Sequence, residues 1–203
     1  MKKIFLIIQV IIFSTNLSFA NEKITEIIEG DKNAKINLIV YESLTCIHCA
    51  NFHKEIYPLL KENFIDKGII NIEFRNFPLD LAALNASKIA HCKNDGDSKI
   101  LHMLYKKQND WAKGSTLEEF NENLKKLVQS EGVEVNFSDC INNIDLEDYI
   151  LEDRINAVKK YDIDATPTLI IKGKKFIDLW WKDDGFIMPV EISFNSYDGK
   201  RER

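Results

Sequence analysis

The chain has 203 residues, which is enough for one well-buried domain with an insertion, and 45% of them are hydrophobic, an ordinary share for a folded protein. Intrinsic disorder is therefore excluded as the dominant state. The net charge of −5 argues against nucleic acid as a partner.

The first twenty residues have the pattern of a cleaved secretory signal. Lys2 and Lys3 precede an apolar run at 4–13, and a motif of small residues ends at Ala20. The alternative is a membrane anchor, but a bilayer span requires about 20 apolar residues, more than this run provides. We therefore expect 1–20 to be a signal peptide that directs export.

A strand, a helix and a second strand follow. Residues 36–41 are nearly all apolar, which suits a strand buried on both faces. From Cys49, apolar residues recur every three to four positions until Gly68, which predicts an amphipathic helix with a kink at Pro58. Residues 70–74 then alternate between apolar and polar side chains, as in a strand with one buried face. Together these elements predict a βαβ unit.

Helical patterns fill the middle of the chain, where no strand signal is found. Ser115 followed by Glu118, and Asp145 ahead of an acidic first turn, mark two helix starts. The four predicted helices are 81–92, 98–111, 117–128 and 146–161.

Strand character returns at 167–171, and a hairpin turn at 172–174 leads into a strand at 175–177. The tail, 178–203, has no helical period, and part of it alternates like a strand. We predict an α/β fold in two parts, 21–79 and 162–203, separated by a mainly helical insertion at 80–161.

Cys46 and Cys49 lie where the first strand gives way to the helix. A cysteine attacks a disulfide only as the thiolate, and the unpaired N–H groups at a helix start favour that anion at Cys46. His48 can add a positive charge or a hydrogen bond to the same sulfur. Cys49 lies one turn further in, close enough to form a disulfide. We interpret Cys46 as the exchanging sulfur and Cys49 as the resolving one.

Two other interpretations of the Cys-x-x-Cys spacing remain. A zinc site would need two more ligands, which His91, Cys92 or Cys140 could supply, and a purely structural disulfide would need none. The position between a strand and a helix favours redox chemistry.

A second motif, Thr166 followed by Pro167, precedes the late strand. The proline could be an ordinary trans residue. A cis bond would instead turn the Thr166 backbone towards Cys46, where its N–H and C=O groups could pair with an extended substrate chain. The spacing leaves both possibilities open.

Taken together, these motifs resemble the DsbA-like thiol:disulfide oxidoreductases of the thioredoxin superfamily. The resemblance covers residues 24–176 and rests on Cys46-Ile47-His48-Cys49, the segment 74–80, the helical insertion and 165–168. It implies a thioredoxin-like fold with an inserted helical domain and a periplasmic location. It also implies oxidation of cysteine pairs in unfolded or reduced exported proteins, with reoxidation by a membrane quinone-linked protein.

The resemblance carries further expectations about the site. It implies no cofactor beyond the redox-active Cys46–Cys49 disulfide, no metal, and a cis bond at Pro167. Cys92 and Cys140 correspond to a second, structural disulfide in some relatives. Isomerases and reductases of this type are usually dimers with a separate dimerisation domain, for which 21–35 is too short, so we expect a monomer.

The chain also departs from the family pattern. Ile47 stands where the best-known oxidases have proline, and Val40 occupies the position of a buried acid found in many relatives. Glu42, on the same strand face as Val40, could replace that acid as a proton acceptor for Cys49, although an exposed loop glutamate is the favoured interpretation.

The other three histidines of the chain, His53, His91 and His102, lie in helical segments without evident partners and are interpreted as packed or solvated.

Two alternative functions remain. One is a disulfide isomerase or reductase, and the other is a secreted binding protein that has lost catalysis.

Overall fold

The structure, a computed structural model, describes residues 23–176. The predicted signal peptide, the tail at 178–203 and the last residue of the predicted strand 175–177 lie outside the described residues.

A five-stranded mixed sheet organises the described part of the chain. Its spatial order is β1-β3-β2-β4-β5, with β2 and β3 parallel and every other pair antiparallel. The strands are β1 Ile27–Glu29, β2 Ile36–Glu42, β3 Ile70–Asn76, β4 Thr168–Ile171 and β5 Lys174–Phe176. The α/β fold class predicted from the sequence is confirmed. Strand β1 was not predicted, because three residues are too few to show an alternating pattern.

The predicted amphipathic helix connects β2 to β3, but it is not a continuous α-helix. Segment α1 (Ile47–Asn51) and segment α2 (Tyr57–Leu60) alternate with π-helical turns at Phe52–Ile56 and Lys61–Ile65. Pro58 is the second residue of α2, where its missing N–H costs little. Instead of a single kink at the proline, the helix widens on either side of it. One face of the helix packs on the sheet through Cys49, Phe52, Ile56, Leu60 and Ile65.

Six helices form the insertion between β3 and β4. They are α3 Leu81–His91, α4 Lys99–Lys106, α5 Gln108–Trp111, α6 Leu117–Ser130, α7 Phe137–Ile141 and α8 Ile144–Tyr161. The predicted helix 98–111 divides at Lys107, and the five-residue α7 was not predicted. No helix within residues 23–176 is long and apolar enough to cross a membrane.

Two helix starts lie close to their predicted positions but use different capping residues. The hydroxyl of Thr116, rather than that of Ser115, accepts a hydrogen bond from Glu119 N at the start of α6. Asn143, rather than Asp145, caps α8. Both shifts are small because capping patterns overlap in sequences rich in Ser, Thr, Asn and Asp.

The core has two unequal parts. The larger part lies between one face of the sheet, the first helix and the insertion, and it includes the fully buried Trp111. The smaller part lies on the opposite face, where α8 contributes Ala157 against Tyr41 and Ile170. A disulfide joins Cys92, at the end of α3, to Cys140 in α7, with the Cα atoms 5.5 Å apart.

Candidate active site

Cys46 occupies the N-cap position of α1, at the carboxyl end of β2. Its backbone is extended (φ −79°, ψ 121°) and its carbonyl accepts the first helical hydrogen bond from Ala50 N at 3.2 Å. The side chain is partly exposed, and its thiol lies 3.4 Å from the carbonyl oxygen of Thr166, to which it donates when protonated.

The surroundings of Cys46 stabilise the thiolate. A hydrogen bond from the Cys49 thiol is the main cause that lowers the pKa of Cys46, and it outweighs the opposing effect of burial. A hydrogen bond involving Thr166 and the backbone N–H groups of Cys49 and His48 lower it further, to about 5. Cys46 is therefore an anion at neutral pH.

Cys49 has the opposite character, although it lies only one turn away. It is fully buried, and Ser43 N lies 3.5 Å from its sulfur. Burial raises the pKa of Cys49 well above its ordinary value; the hydrogen bond it donates to Cys46 and the negative charges of Glu42 and Cys46 raise it further. The reduced pair thus consists of one thiolate and one neutral thiol.

His48 contributes through its backbone rather than through its ring. The side chain is exposed, and no hydrogen bond within residues 23–176 joins the imidazole to the Cys46 sulfur. The N–H group of His48 is among the donors that lower the pKa of Cys46. Of the two contributions that the sequence suggests for the ring, a positive charge or a hydrogen bond to the sulfur, the hydrogen bond is not formed among the described residues.

The loop that carries Cys46 is fixed from outside the βαβ unit. Gln108, buried in α5 of the insertion, donates to the carbonyl oxygens of Leu44 (2.8 Å) and Cys46 (3.0 Å). Thr45 donates to Asp80 at 2.7 Å, and Asp80 also caps α3. Gln108 could not be identified from the sequence, because nothing in the local sequence of α5 signals a contact some sixty residues away.

Thr166 and Pro167 lie directly beside the reactive sulfur. The peptide bond between them is cis. The contact between Cys46 and the Thr166 carbonyl joins two segments 120 residues apart in sequence, so the fold itself brings the two motifs together. The Thr166 backbone therefore lies next to the Cys46 sulfur.

Glu42 is not the exposed loop residue that the sequence favoured. It is the last residue of β2, is 4% exposed, and accepts a hydrogen bond from His53 at 2.7 Å. Its other carboxylate oxygen, Oε1, is buried without a hydrogen-bond partner among residues 23–176. His53 lies on the same helix face as Cys49, and its ring contacts Glu42 at the end of β2. This hydrogen bond offsets part of the cost of burying the carboxylate.

The three histidines described as lacking partners all have them. His53 contacts His102, with 2.9 Å between their Nδ1 atoms, and His102 contacts Glu29 at 2.6 Å. His91 is buried and lies 3.1 Å from Asn76 Nδ2. The useful signal in the sequence was the four-residue spacing from Cys49 to His53, which places both side chains over the sheet.

Zinc ligation would require a third and a fourth ligand near Cys46 and Cys49. Cys92 and Cys140, the candidates from the sequence, are bonded to each other. Residues 23–176 contain no group of three or more His, Cys, Asp or Glu side chains arranged to hold a metal ion. The described residues do not provide the site that this alternative needs.

Comparison with known proteins agrees with this arrangement. The family model described as Thioredoxin matches residues 22–184. A protein of Rickettsia bellii named as a protein-disulfide oxidoreductase is 31% identical over 150 residues, which are 73% of this chain and 57% of that protein. Disulfide bond formation protein D of Bacillus subtilis is 26% identical over 158 residues, 71% of this chain and 67% of its own. The chain spans only about half the length of the rickettsial relatives it matches, from 51% to 57%.

Solved structures give the same result. The crystal structure of alpha-DsbA1 from Wolbachia pipientis superposes with a TM-score of 0.66 at 32% identity, covering 75% of this chain and 79% of that one. Oxidised BdbD from Bacillus subtilis superposes with a TM-score of 0.59 at 25% identity, over 75% and 84% of the two chains. The chain therefore belongs to the thioredoxin family, with the DsbA-like protein-disulfide oxidoreductases as its relatives.

Proposed function

We propose that this protein is an exported dithiol oxidase that transfers the Cys46–Cys49 disulfide to cysteine pairs of other exported proteins. The observation that carries the proposal is the unequal state of the two thiols, with the pKa of Cys46 lowered to about 5 and that of Cys49 raised. A stabilised thiolate favours the reduced form of the site, which makes its disulfide oxidising.

The first chemical step opens the disulfide of the protein. A substrate thiolate attacks the partly exposed sulfur of Cys46, and the bond between Cys46 and Cys49 breaks. Cys49 leaves with the electron pair and takes up a proton, because its buried position disfavours the anion. Attack at Cys46 rather than Cys49 is supported by the full burial of the latter.

The second step releases the product. The second thiolate of the substrate attacks the substrate sulfur that is bonded to Cys46. The mixed disulfide breaks, and Cys46 leaves as the stabilised thiolate. The substrate has then lost two electrons, which reside in the reduced site, and two protons, one of which is held on Cys49 while the other is released to solvent.

Substrate binding and proton transfer involve three further residues in this proposal. The backbone of Thr166, followed by the cis bond to Pro167, pairs with an extended substrate segment beside Cys46. Glu42 exchanges the proton of Cys49, a role supported by its burial and by the effect of its charge on the Cys49 pKa. His48 contributes its N–H group to the thiolate.

The cellular setting follows from the same reasoning. Cleavage of residues 1–20 delivers the protein to the periplasm, where disulfides persist. The Cys92–Cys140 disulfide stabilises the insertion and takes no part in exchange. A membrane quinone-linked protein restores the Cys46–Cys49 disulfide, and the protein acts as a monomer.

A redox titration tests this function. The purified protein is equilibrated in glutathione buffers of graded ratio, and the fraction oxidised at Cys46 and Cys49 is measured by thiol alkylation. We expect a potential more oxidising than that of the glutathione pool, and oxidation of a reduced, unfolded substrate by stoichiometric protein. A potential as reducing as that of thioredoxin would contradict an oxidase.

Two controls separate the remaining alternatives. Cys46→Ser removes all transfer if the chemistry is as proposed, and an unaltered effect of this variant on exported proteins would favour a binding protein without catalysis. Refolding of a substrate with scrambled disulfides measures isomerisation directly, and a rate above that of its oxidation would favour the isomerase.

A further inference from the structure

Four buried or partly buried side chains form an unbroken hydrogen-bonded chain beside the cysteine pair. Glu42 Oε2 lies 2.7 Å from His53 Nε2, and His53 Nδ1 lies 2.9 Å from His102 Nδ1. His102 Nε2 in turn lies 2.6 Å from Glu29 Oε1. The four residues come from β2, the first helix, α4 and β1, so the tertiary fold alone assembles them.

One end of this chain faces the resolving cysteine. The backbone N of Ser43, the residue that follows Glu42, lies 3.5 Å from the Cys49 sulfur, and the charge of Glu42 is among the causes that raise the pKa of Cys49. Oε1 of Glu42 and the hydroxyl of Tyr105 are both buried at this end of the chain. Burial raises the pKa of Tyr105, and interaction with Glu42 raises it further, so this hydroxyl is the other polar group beside the carboxylate.

The other end reaches water. The side chain of His102 is 24% exposed, compared with 4% for His53. Both rings line a surface groove of about 550 Å³, whose charged groups are Lys54 and Lys106. Two hydrogen bonds thus connect a fully enclosed carboxylate to the partly exposed ring of His102, and a third connects that ring to Glu29.

Aromatic side chains hold both rings in place. Tyr105 stacks on His53 with 4.0 Å between ring centroids, and Tyr57 stacks on His102 at 4.3 Å. Tyr57 also donates to Glu29 at 2.5 Å. Fixed rings with both nitrogens engaged suit repeated proton transfer, because no rotation is needed between the donor and the acceptor.

The hydrogen bonds also require a stored proton. Three bonds join the four groups, and each requires one proton, but two neutral imidazoles supply only two. The complete chain therefore carries one additional proton. Hydrogen bonds from His102, Ser98 and Tyr57 outweigh burial and lower the pKa of Glu29 to about 2, so the additional proton does not reside there.

We propose that Glu42, His53, His102 and Glu29 form a relay that carries a proton between the Cys49 sulfur and water in the groove. When a substrate thiolate attacks Cys46 and opens the disulfide, Cys49 leaves with the electron pair. Cys49 then takes the stored proton through Glu42, and water in the groove supplies a new proton to the relay. When the site is reoxidised, Cys46 is in a mixed disulfide with the reoxidising protein. The Cys49 thiol returns its proton along the same path as its sulfur attacks Cys46; the Cys46–Cys49 bond forms, the bond from Cys46 to the reoxidising protein breaks, and that protein leaves as a thiolate with the electron pair. The relay rests on the proposed function, since it serves the same cysteine pair.

The test interrupts the relay at its solvent end. His102→Phe keeps an aromatic ring but has no nitrogen, and His102→Gln keeps hydrogen bonding without a group that titrates. Oxidised protein is mixed with dithiothreitol, and single-turnover opening of the site disulfide is followed by the absorbance of the Cys46 thiolate. We expect both variants to be at least about tenfold slower than the unsubstituted protein.

Two readouts distinguish proton transfer from a structural role. Free imidazole in the buffer should restore the rate of His102→Phe while leaving the unsubstituted protein unchanged. The solvent deuterium isotope effect should also be larger in the variants, because proton delivery has become limiting. The control is Lys99→Gln, an exposed residue of α4 outside the groove, for which we expect the unsubstituted rate.

Each outcome has a definite meaning. Unsubstituted rates in both His102 variants, or a slowing that imidazole does not reverse, overturn the relay. If His102→Phe does not fold, His102→Gln provides the same comparison. A folded, unsubstituted protein that does not exchange with dithiothreitol would contradict the proposed function instead, so the two failures are distinct.

Discussion

Acidification should remove a measurable part of the stability of the reduced protein, because it protonates Cys46. The pKa of this thiol is lowered from 9.0 to about 5 by the Cys49 thiol, Thr166 and the backbone N–H groups at the start of α1. A lowered pKa in the folded state stabilises the fold at high pH, and this contribution is lost as the pH falls through about 5.

The magnitude follows from the pH interval. Between about pH 5, where the folded thiol titrates, and about pH 7, the thiol is ionised in the folded protein and neutral in the unfolded protein. Each pH unit of this interval adds about 1.4 kcal/mol to the free energy of unfolding, so the interval of about two units adds at most ~2.7 kcal/mol. The sulfur is only half-buried, so solvent screening reduces this to ~2 kcal/mol. The same free energy corresponds to ~40 mV in the two-electron potential of the site.

The oxidised protein provides the reference, since its disulfide has no thiol to ionise. The free energy of unfolding is measured in urea for both forms, in steps from about pH 4 to about pH 8. We expect the difference between reduced and oxidised protein to grow by ~2 kcal/mol in favour of the reduced form as the pH rises to about 7. Ultraviolet absorbance of the thiolate gives the Cys46 pKa directly.

Cys46→Ser is the matched control for the reduced protein. It should abolish the absorbance change, and its free energy of unfolding should lack the pH-dependent gain that the reduced, unsubstituted protein shows as the pH rises to about 7. Cys49 does not interfere, since its pKa is raised and it stays neutral throughout. An absorbance midpoint near the value of free cysteine, about 8.5, would refute the reasoning. So would a stability difference that does not change with pH.

Three other substitutions probe separate parts of the structure. Gln108→Ala removes the side-chain donor of the Leu44 carbonyl and one of the two donors to the Cys46 carbonyl, which keeps Ala50 N, and should cost about 1–3 kcal/mol in urea unfolding. Gln108→Glu, which has a similar shape but no N–H donor, tests whether shape alone suffices. Joint replacement of Cys92 and Cys140 by alanine should cost up to ~4 kcal/mol, the chain-entropy value for a loop of this length, without moving the Cys46 titration. Glu42→Gln removes a charge that raises the pKa of Cys49, so that pKa should fall when it is titrated with its partner cysteine replaced by serine.

Local patterns were sufficient to predict the frame of the site. The apolar run that forms β2 and the change to a helical period at Cys49 placed both cysteines correctly at the strand-to-helix junction. The parallel pairing of β2 with β3 follows from the helix between them, because parallel strands need such a crossover. These features depend on neighbours in sequence, which is why the sequence alone was enough.

Contacts between distant segments were not accessible in the same way. Glu42 ends an apolar run, and a charged residue in that position normally marks the surface. Its burial depends on His53 and His102, and the latter depends on Glu29, 73 residues away. Gln108 likewise acts across 62 to 64 residues. No periodic pattern signals such pairs, so the polar half of the site emerged only from the structure.

Gln108 makes the insertion part of the support of the proposed redox site. A helix that belongs to the insertion holds the backbone on which the reactive sulfur is mounted, through two carbonyl groups of the junction loop. An exchange of insertions between relatives would therefore change the residues that hold the Cys46 backbone, and a chimaera without this amide would keep both cysteines on a loop that has lost two hydrogen bonds. Engineering of substrate preference through the insertion should keep α5 unchanged and vary the helices beyond it.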